Sequence, residues 1–411
     1  MDYDYVIVGG GIAGLYSALK ITQTFPKAKV ALTEMYTQLG GRIETYRGKN
    51  VQFEEGAGRI HSSHSMVAEL VRRYGLTKIK IPNESEALWI GEGDQPRKNS
   101  WSSIANFLVL YLSKIDPLVL QTKTVKELLE QTMEGFTVVP ILKRFAYTSE
   151  LYTLRADLAL HALQGEFSGK GHFYVIKEGM DSIPDRMAKE LKGKVDIFLE
   201  HRLTAITSDG VQAKLHFKGH KTFVAKKVIL AIPSEALKGL AAFKNLPLLK
   251  RVSMRPLLRI YGVFPTPPWF EMIPRTITDS PLRHIIPISS KAGSIMTSYT
   301  DAKDTEFWMS IHKKFGEKAL SKRIVEESEK LFKIKIPEPH LFKMYYWKDG
   351  CSYWLPGLYD VKEASEKIMN PLPLSHPNVY VCGESYSTNQ AWVESALEHT
   401  EGMLQRYIFT R

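Results

Sequence analysis

The sequence predicts an α/β protein: a discontinuous, largely parallel sheet domain into which an α+β domain with a helical segment is inserted. Three observations predict it. Residues 4–9 are a near-continuous apolar run that passes through glycines into a helical period over 12–24 and on to a second strand at 29–34, a βαβ unit of about 30 residues. Further strands are signalled far downstream, at 195–199, 213–217, 227–232 and 379–382, so distant segments share one sheet. Between them lie stretches of different character. Ile104, Phe107, Leu108, Tyr111 and Leu112 recur at helical spacing, and 251–371 mixes strand-like runs (257–264, 294–299, 341–347) with an amphipathic helix around 307–332. The expected division is 1–78, 172–250 and 372–411 for the sheet domain and 79–171 with 251–371 for the inserted domain, helical over about 101–165.

With 411 residues the chain exceeds one ordinary core, and 44% hydrophobic with 24% charged residues is a globular composition. Cys351 and Cys382 are too few for a disulfide framework or a zinc site, so no metal is expected. The N-terminal residues form a strand and a glycine turn rather than a secretory signal, and no run of about 18 apolar residues occurs, which predicts a cytoplasmic protein without a membrane anchor. The formal charge of +11 is dispersed, so no nucleic-acid partner is expected; its field disfavours polycations and mildly favours carboxylate-bearing substrates.

Gly9, Gly11 and Gly14 form a G-x-G-x-x-G turn after a buried strand and at the start of a helix. Gly9 allows the tight turn, Gly11 the approach of a pyrophosphate, and Gly14 close packing of helix on strand. The phosphates then meet Ile12 and Ala13 at the helix N-terminus, where free N–H groups favour anions. Glu34 closes the second strand about 20 residues on, where a carboxylate accepts hydrogen bonds from an adenosine ribose. This is a Rossmann-type dinucleotide site.

Leu39-Gly40-Gly41-Arg42 and Glu54-Glu55-Gly56-Ala57 resemble segments of the flavin-containing amine oxidase superfamily, which includes monoamine, polyamine and L-amino-acid oxidases. The likeness continues through Glu178-Gly179-Met180-Asp181-Ser182-Ile183-Pro184, Leu203-Thr204-Ala205-Ile206, Lys227-Val228-Ile229-Leu230-Ala231-Ile232-Pro233, Val381-Cys382-Gly383-Glu384 and Ala391-Trp392-Val393-Glu394-Ser395. The resemblance implies FAD as cofactor. It places Gly41 and Arg42 on the pyrophosphate, Gly56, Ala57 and Gly58 beside the flavin, Leu203 at the adenine, Gly383 and Glu384 at the ribityl or pyrophosphate region, and Trp347 on the cofactor. Trp392 and Val393 would start the helix whose N–H groups face the flavin pyrimidine, favouring its anionic reduced form. Two positions depart from the family pattern. Gln38 stands where the family usually carries an arginine, and Arg259 where it carries the lysine that holds a water beside flavin N5. Gly350-Cys351-Ser352-Tyr353 differs by one residue from the segment through which monoamine oxidases attach FAD, an offset that turns the thiol to the other strand face.

For the substrate, Gly56-Ala57-Gly58-Arg59 resembles the segment of L-amino-acid oxidases in which an arginine grips the carboxylate, and Tyr299 in Ile295-Met296-Thr297-Ser298-Tyr299 would supply a second bond. Arg59, Arg259, Tyr299 and Trp392 are thus the expected reaction-site residues, with Trp392 as an aromatic wall and Arg59 also beside the flavin. The alternative for Arg59 is a salt bridge to Glu54 or Glu55. His61 and His64 are candidate proton acceptors, with no base assigned. The expected reaction is FAD-dependent oxidation of an L-amino acid by molecular oxygen to a 2-oxo acid, ammonia and hydrogen peroxide. Rival readings are a monoamine or polyamine oxidase and a flavoprotein with little activity. The partners are a small-molecule amino acid or amine and oxygen, and a homodimer is an admissible assembly.

Overall fold

Strand Asp2–Val8 sits near the middle of a seven-stranded sheet ordered Asp196–Phe198, Val30–Thr33, Asp2–Val8, Phe223–Leu230, Ala213–Phe217, Leu203–Ser208, with Val379–Val381 also on Phe223–Leu230. This is seen in a computed structural model that describes residues 1–82, 86–90, 96–165, 171–265 and 268–410. The pairings of Asp2–Val8 are parallel on both sides, and those of Ala213–Phe217 antiparallel. Side chains alternate across the sheet with period two. Val6 and Val8 face one apolar core and Ile7 the other. Helices Ile12–Thr24, Ser182–Leu191, Ser65–Arg73 and Val393–Met403 pack on the Ile7 side.

The second sheet, also seven-stranded among the described residues, runs Leu341–Trp354, Val252–Val263, Ser294–Asp301, His284–Ser289, Thr276–Thr278, Glu86–Ile90, Pro96–Ser100. Leu341–Trp354 outruns the predicted 341–347, because its pairing with Val252–Val263 resumes beyond a register shift between Arg255 and Leu257. Gly350 sits at that shift, where a Cβ would lie 2.6 Å from that of Leu257. The amphipathic stretch forms Ala302–Phe332, interrupted at Gly316, whose φ of 81° no α-helix accommodates. Among the described residues no helix is long and apolar enough to cross a membrane.

Six helices, from Trp101–Leu112 to Ala156–Gly165, fill the 101–165 segment. Their apolar faces (Leu108, Leu128, Leu142) join Val6, Val8 and Trp354 in one continuous core, so the helical segment is welded to the first sheet. Local signals set its helix starts: Thr124 and Glu127 form a reciprocal capping box. Thr148–Tyr152 is instead started from afar. The buried Asp301, closing a strand of the second sheet, accepts from Thr148 N (3.0 Å), Thr148 Oγ1 (2.5 Å) and Ser149 N (2.7 Å). That carboxylate fixes the position of Tyr147, one residue upstream. Asp301→Ala leaves three buried donors unpaired and is expected to cost about 2 kcal/mol in denaturant titration; unaltered stability would remove this staple from the account.

Candidate active site

The glycine turn is shaped as its spacing requires. Gly9 has φ 107°, and a Cβ there would lie 2.3 Å from Ala231 O; a Cβ on Gly14 would lie 1.8 Å from Gly9 O. Gly11 differs, since its nearest neighbour would be the Gly41 Cα at 3.8 Å, leaving its face open. Helix Ile12–Thr24 begins there with no side-chain cap and no acid in its first turn. An open glycine face before an uncapped helix N-terminus is a cradle for a diphosphate. Glu34, buried at the end of Val30–Thr33, accepts from Gly10 N (2.7 Å) and Tyr36 N (2.9 Å), which fixes its carboxylate beside the turn. Leu203 lies at a register shift, so its backbone leaves the regular ladder. Gln38 is turned outward and donates to Glu44.

The second half of the cradle is organised by Glu384. This buried carboxylate accepts from Arg42 Nη2 (2.9 Å), Ser352 Oγ (3.0 Å), Ser352 N (3.3 Å) and Ala391 N (2.7 Å). Arg42 also donates to Gly350 O. Gly383, with φ 115°, rests against Ala13 in the first turn of Ile12–Thr24, so both glycine turns converge. Helix Val393–Met403 likewise starts uncapped, at Trp392. Its Glu394 reaches instead to a neighbour, accepting from Met66 N and Val67 N, both at 2.8 Å, at the start of Ser65–Arg73. Beside the cradle runs the Gly56–Gly58 turn. Ala57 N donates to Arg42 O, Trp347 Nε1 to Glu55 O (2.8 Å), and a Cβ on Gly56 would meet Arg42 O at 2.1 Å. Burial raises the Cys351 thiol to about 12, leaving it protonated at neutral pH and a weak nucleophile.

Around that turn the second sheet delivers its polar residues. Arg259 and Tyr261, two apart and so on one face of Val252–Val263, donate to Glu54 O at 3.0 and 2.5 Å. The buried Arg259 guanidinium lies over the Tyr299 ring (4.9 Å), its strand neighbour, and its Nε has no hydrogen-bond partner among the described residues. Burial pushes the Tyr299 hydroxyl up to about 12, so it is a neutral donor at physiological pH. Arg59 forms no salt bridge to Glu54 or Glu55. Its guanidinium donates to Tyr147 OH (3.2 Å) and lies 5.2 Å from the Phe173 ring centre. The Glu54 carboxylate is engaged by Thr45 Oγ1 and Met180 N, and burial raises it to about 7.

Phe173 stacks on Trp392 at 6.1 Å, and the His64 ring meets Trp392 edge-on at 4.9 Å. A cavity of about 410 Å³ opens beside Trp392, lined also by Ala391, Tyr353, Glu150, His61 and His161. Tyr147, Phe173 and Glu150 carried no sequence signal, since nothing in their local pattern distinguishes them from ordinary packing residues. His64 makes a poor base: its Nδ1 accepts from His61 N (3.2 Å), and burial, with His61, lowers it to about 4. A histidine depressed in the folded state stabilises the fold fully above its unfolded pKa of about 6.5 and loses that contribution as pH falls towards 4. His64→Gln is therefore expected to flatten the decline in stability between those pH values by up to about 3 kcal/mol, read from denaturation at pH 7 and pH 4.5.

Among the described residues no cluster of three His, Cys, Asp or Glu side chains suits a metal. The sequence profile of the flavin containing amine oxidoreductases matches residues 12–400. An uncharacterized protein of Acanthamoeba polyphaga mimivirus is 22% identical, over 99% of this chain and 94% of its own. The putative L-amino-acid oxidase YobN of Bacillus subtilis (strain 168) is also 22% identical, over 96% and 92%. The L-amino acid oxidase bordonein-L of Crotalus durissus terrificus is 25% identical, over 61% of this chain and 54% of its own. Among solved structures, a putrescine oxidase redesigned in cofactor binding superposes with a TM-score of 0.79 at 16% identity, covering 98% and 99%. Cyclohexylamine oxidase from Brevibacterium oxydans IH-35A gives 0.76 at 16%, covering 98% and 99%. These likenesses show the fold, and the profile match along nearly the whole chain shows the family: the protein is a flavin-containing amine oxidoreductase with an FAD-binding Rossmann-type domain.

Proposed function

We propose that this protein is an FAD-dependent L-amino-acid oxidase. The supporting observation is Arg59, a partly buried guanidinium that pairs with no carboxylate among the described residues and is held by Tyr147 and Phe173 close to Tyr299 and Arg259. A partly buried cation without a counter-ion loses hydration, and a ligand carboxylate offsets that loss with two charge-assisted hydrogen bonds. Arg59 and the neutral Tyr299 hydroxyl orient the carboxylate, Phe173 and Trp392 form an apolar wall, and Arg259 holds a positive charge with an unused N–H at the Gly56–Gly58 turn. The Gly9–Gly14 turn, Arg42 and Glu384 would hold FAD, which would supply the acceptor for a Cα hydride and the route for two electrons to oxygen. Overall, amino acid, oxygen and water give a 2-oxo acid, ammonia and hydrogen peroxide.

A second reading, oxidation of a simple amine, is favoured by Glu150, which places a carboxylate on the cavity beside Trp392, and by the fold shared with putrescine and cyclohexylamine oxidases. Peroxide detection with the FAD-loaded protein separates the two. L-amino acids are expected to be turned over and their decarboxylated amines not; turnover of the amines alone rejects the amino-acid reading.

A further inference from the structure

Arg59 is not the only cation at this site without a carboxylate partner among the described residues. Arg275, just before strand Thr276–Thr278, donates through Nη1 to Pro82 O (2.7 Å) and through Nε to His284 Nε2 (3.4 Å). The His284 ring packs edge-on to Tyr147 (6.2 Å) and lies along Tyr299 (6.3 Å), and Tyr147 is the residue that receives Arg59. Arg59 and Arg275 are thus joined through one tyrosine and one histidine. Burial, then the charge of Arg59, pulls Arg275 down to about 10, and burial with both arginines keeps His284 neutral, able to accept from Arg275. Arg59, Arg259 and Arg275 form no salt bridge among the described residues, although seven other arginines do.

Two acids of the site, among the described residues, are committed elsewhere. Glu54 is turned to Thr45 and Met180, and Asp301 to Thr148 and Ser149. Arg59 and Arg275 are only partly buried, so a ligand can reach both. One α-carboxylate satisfies one guanidinium fork, and Arg275 Nη2 has no hydrogen-bond acceptor among the described residues. Resting on the amino-acid reading above, we infer that Arg275 is a specificity-determining residue that selects L-amino acids with an acidic side chain, Arg59 taking the α-carboxylate and Arg275 the distal one.

Two measurements decide it. In steady-state kinetics, L-glutamate or L-aspartate should exceed its own amide in kcat/KM by about tenfold or more, as expected of a fork meeting a carboxylate rather than an amide. Arg275→Gln should collapse that ratio to near unity, chiefly through KM, and Arg275→Lys should restore part of it. Amides equal to or better than the acids overturn the inference while leaving the amino-acid reading standing. The second measurement needs no turnover: glutarate and butyrate are titrated into the FAD-loaded protein, following Tm and the flavin absorbance. Glutarate should act at about a tenth or less of the butyrate concentration, an advantage lost in Arg275→Gln. If no amino acid is oxidised yet glutarate keeps its advantage, the dianion site stands and the assigned reaction falls. Equal potency of the two acids overturns the site itself.

Discussion

Arg59→Ala should lower kcat/KM for the best L-amino-acid substrate by about two to three orders of magnitude, as the loss of two charge-assisted hydrogen bonds predicts. Because Arg59 has no carboxylate partner among the described residues, its removal strands no counter-charge, and the folded protein should survive. Arg59→Lys should recover only part of the loss, since an ammonium keeps the charge without the planar fork. Steady-state kinetics with peroxide detection reads the effect. A loss below about tenfold means that the carboxylate is bound elsewhere.

Glu384→Ala should have the largest effect on the protein itself. Its carboxylate gathers Arg42, both polar groups of Ser352 and the Ala391 N–H, and it ties the Gly350 region of the second sheet to the first domain. Deletion leaves Arg42 without its counter-ion and several donors unpaired, a cost of about 3 kcal/mol or more. The purified variant should carry substoichiometric FAD, seen as a reduced flavin-to-protein absorbance ratio, and unfold earlier even when FAD is added. Full occupancy and unchanged stability would show that Arg42 is held by other groups.

The glycine turn was legible because its signals are local. Gly9, Gly11 and Gly14 answer to steric demands within a few residues of themselves, and the strand and helix that present them announce their own periods. The resemblance also drew attention to Arg59 and Tyr299. What the sequence could not show was the company they keep. Tyr147 meets Arg59 from a segment that Asp301, 153 residues away from Thr148, holds in place, and Phe173 arrives from another strand and Arg275 from the residue before one, both with unremarkable neighbours. Strand ends failed for a related reason. Phe223–Leu230 begins before the predicted 227 because its first half is held by an antiparallel partner, Ala213–Phe217, a contact invisible to any local pattern.

The acidic partners of the N-terminal cradle also set a timetable. Glu384 meets Arg42 across 342 residues of chain, and Glu394 meets Met66 across 328. At about 5–20 residues per second, a ribosome releases the glycine turn roughly 20–70 s before it makes these carboxylates. A nascent chain therefore displays a Rossmann turn for most of its synthesis without the groups that lock the far side of the cradle. The order of synthesis thus places docking of segment 379–403, which carries Glu384 and Glu394, last among the steps that complete the cradle.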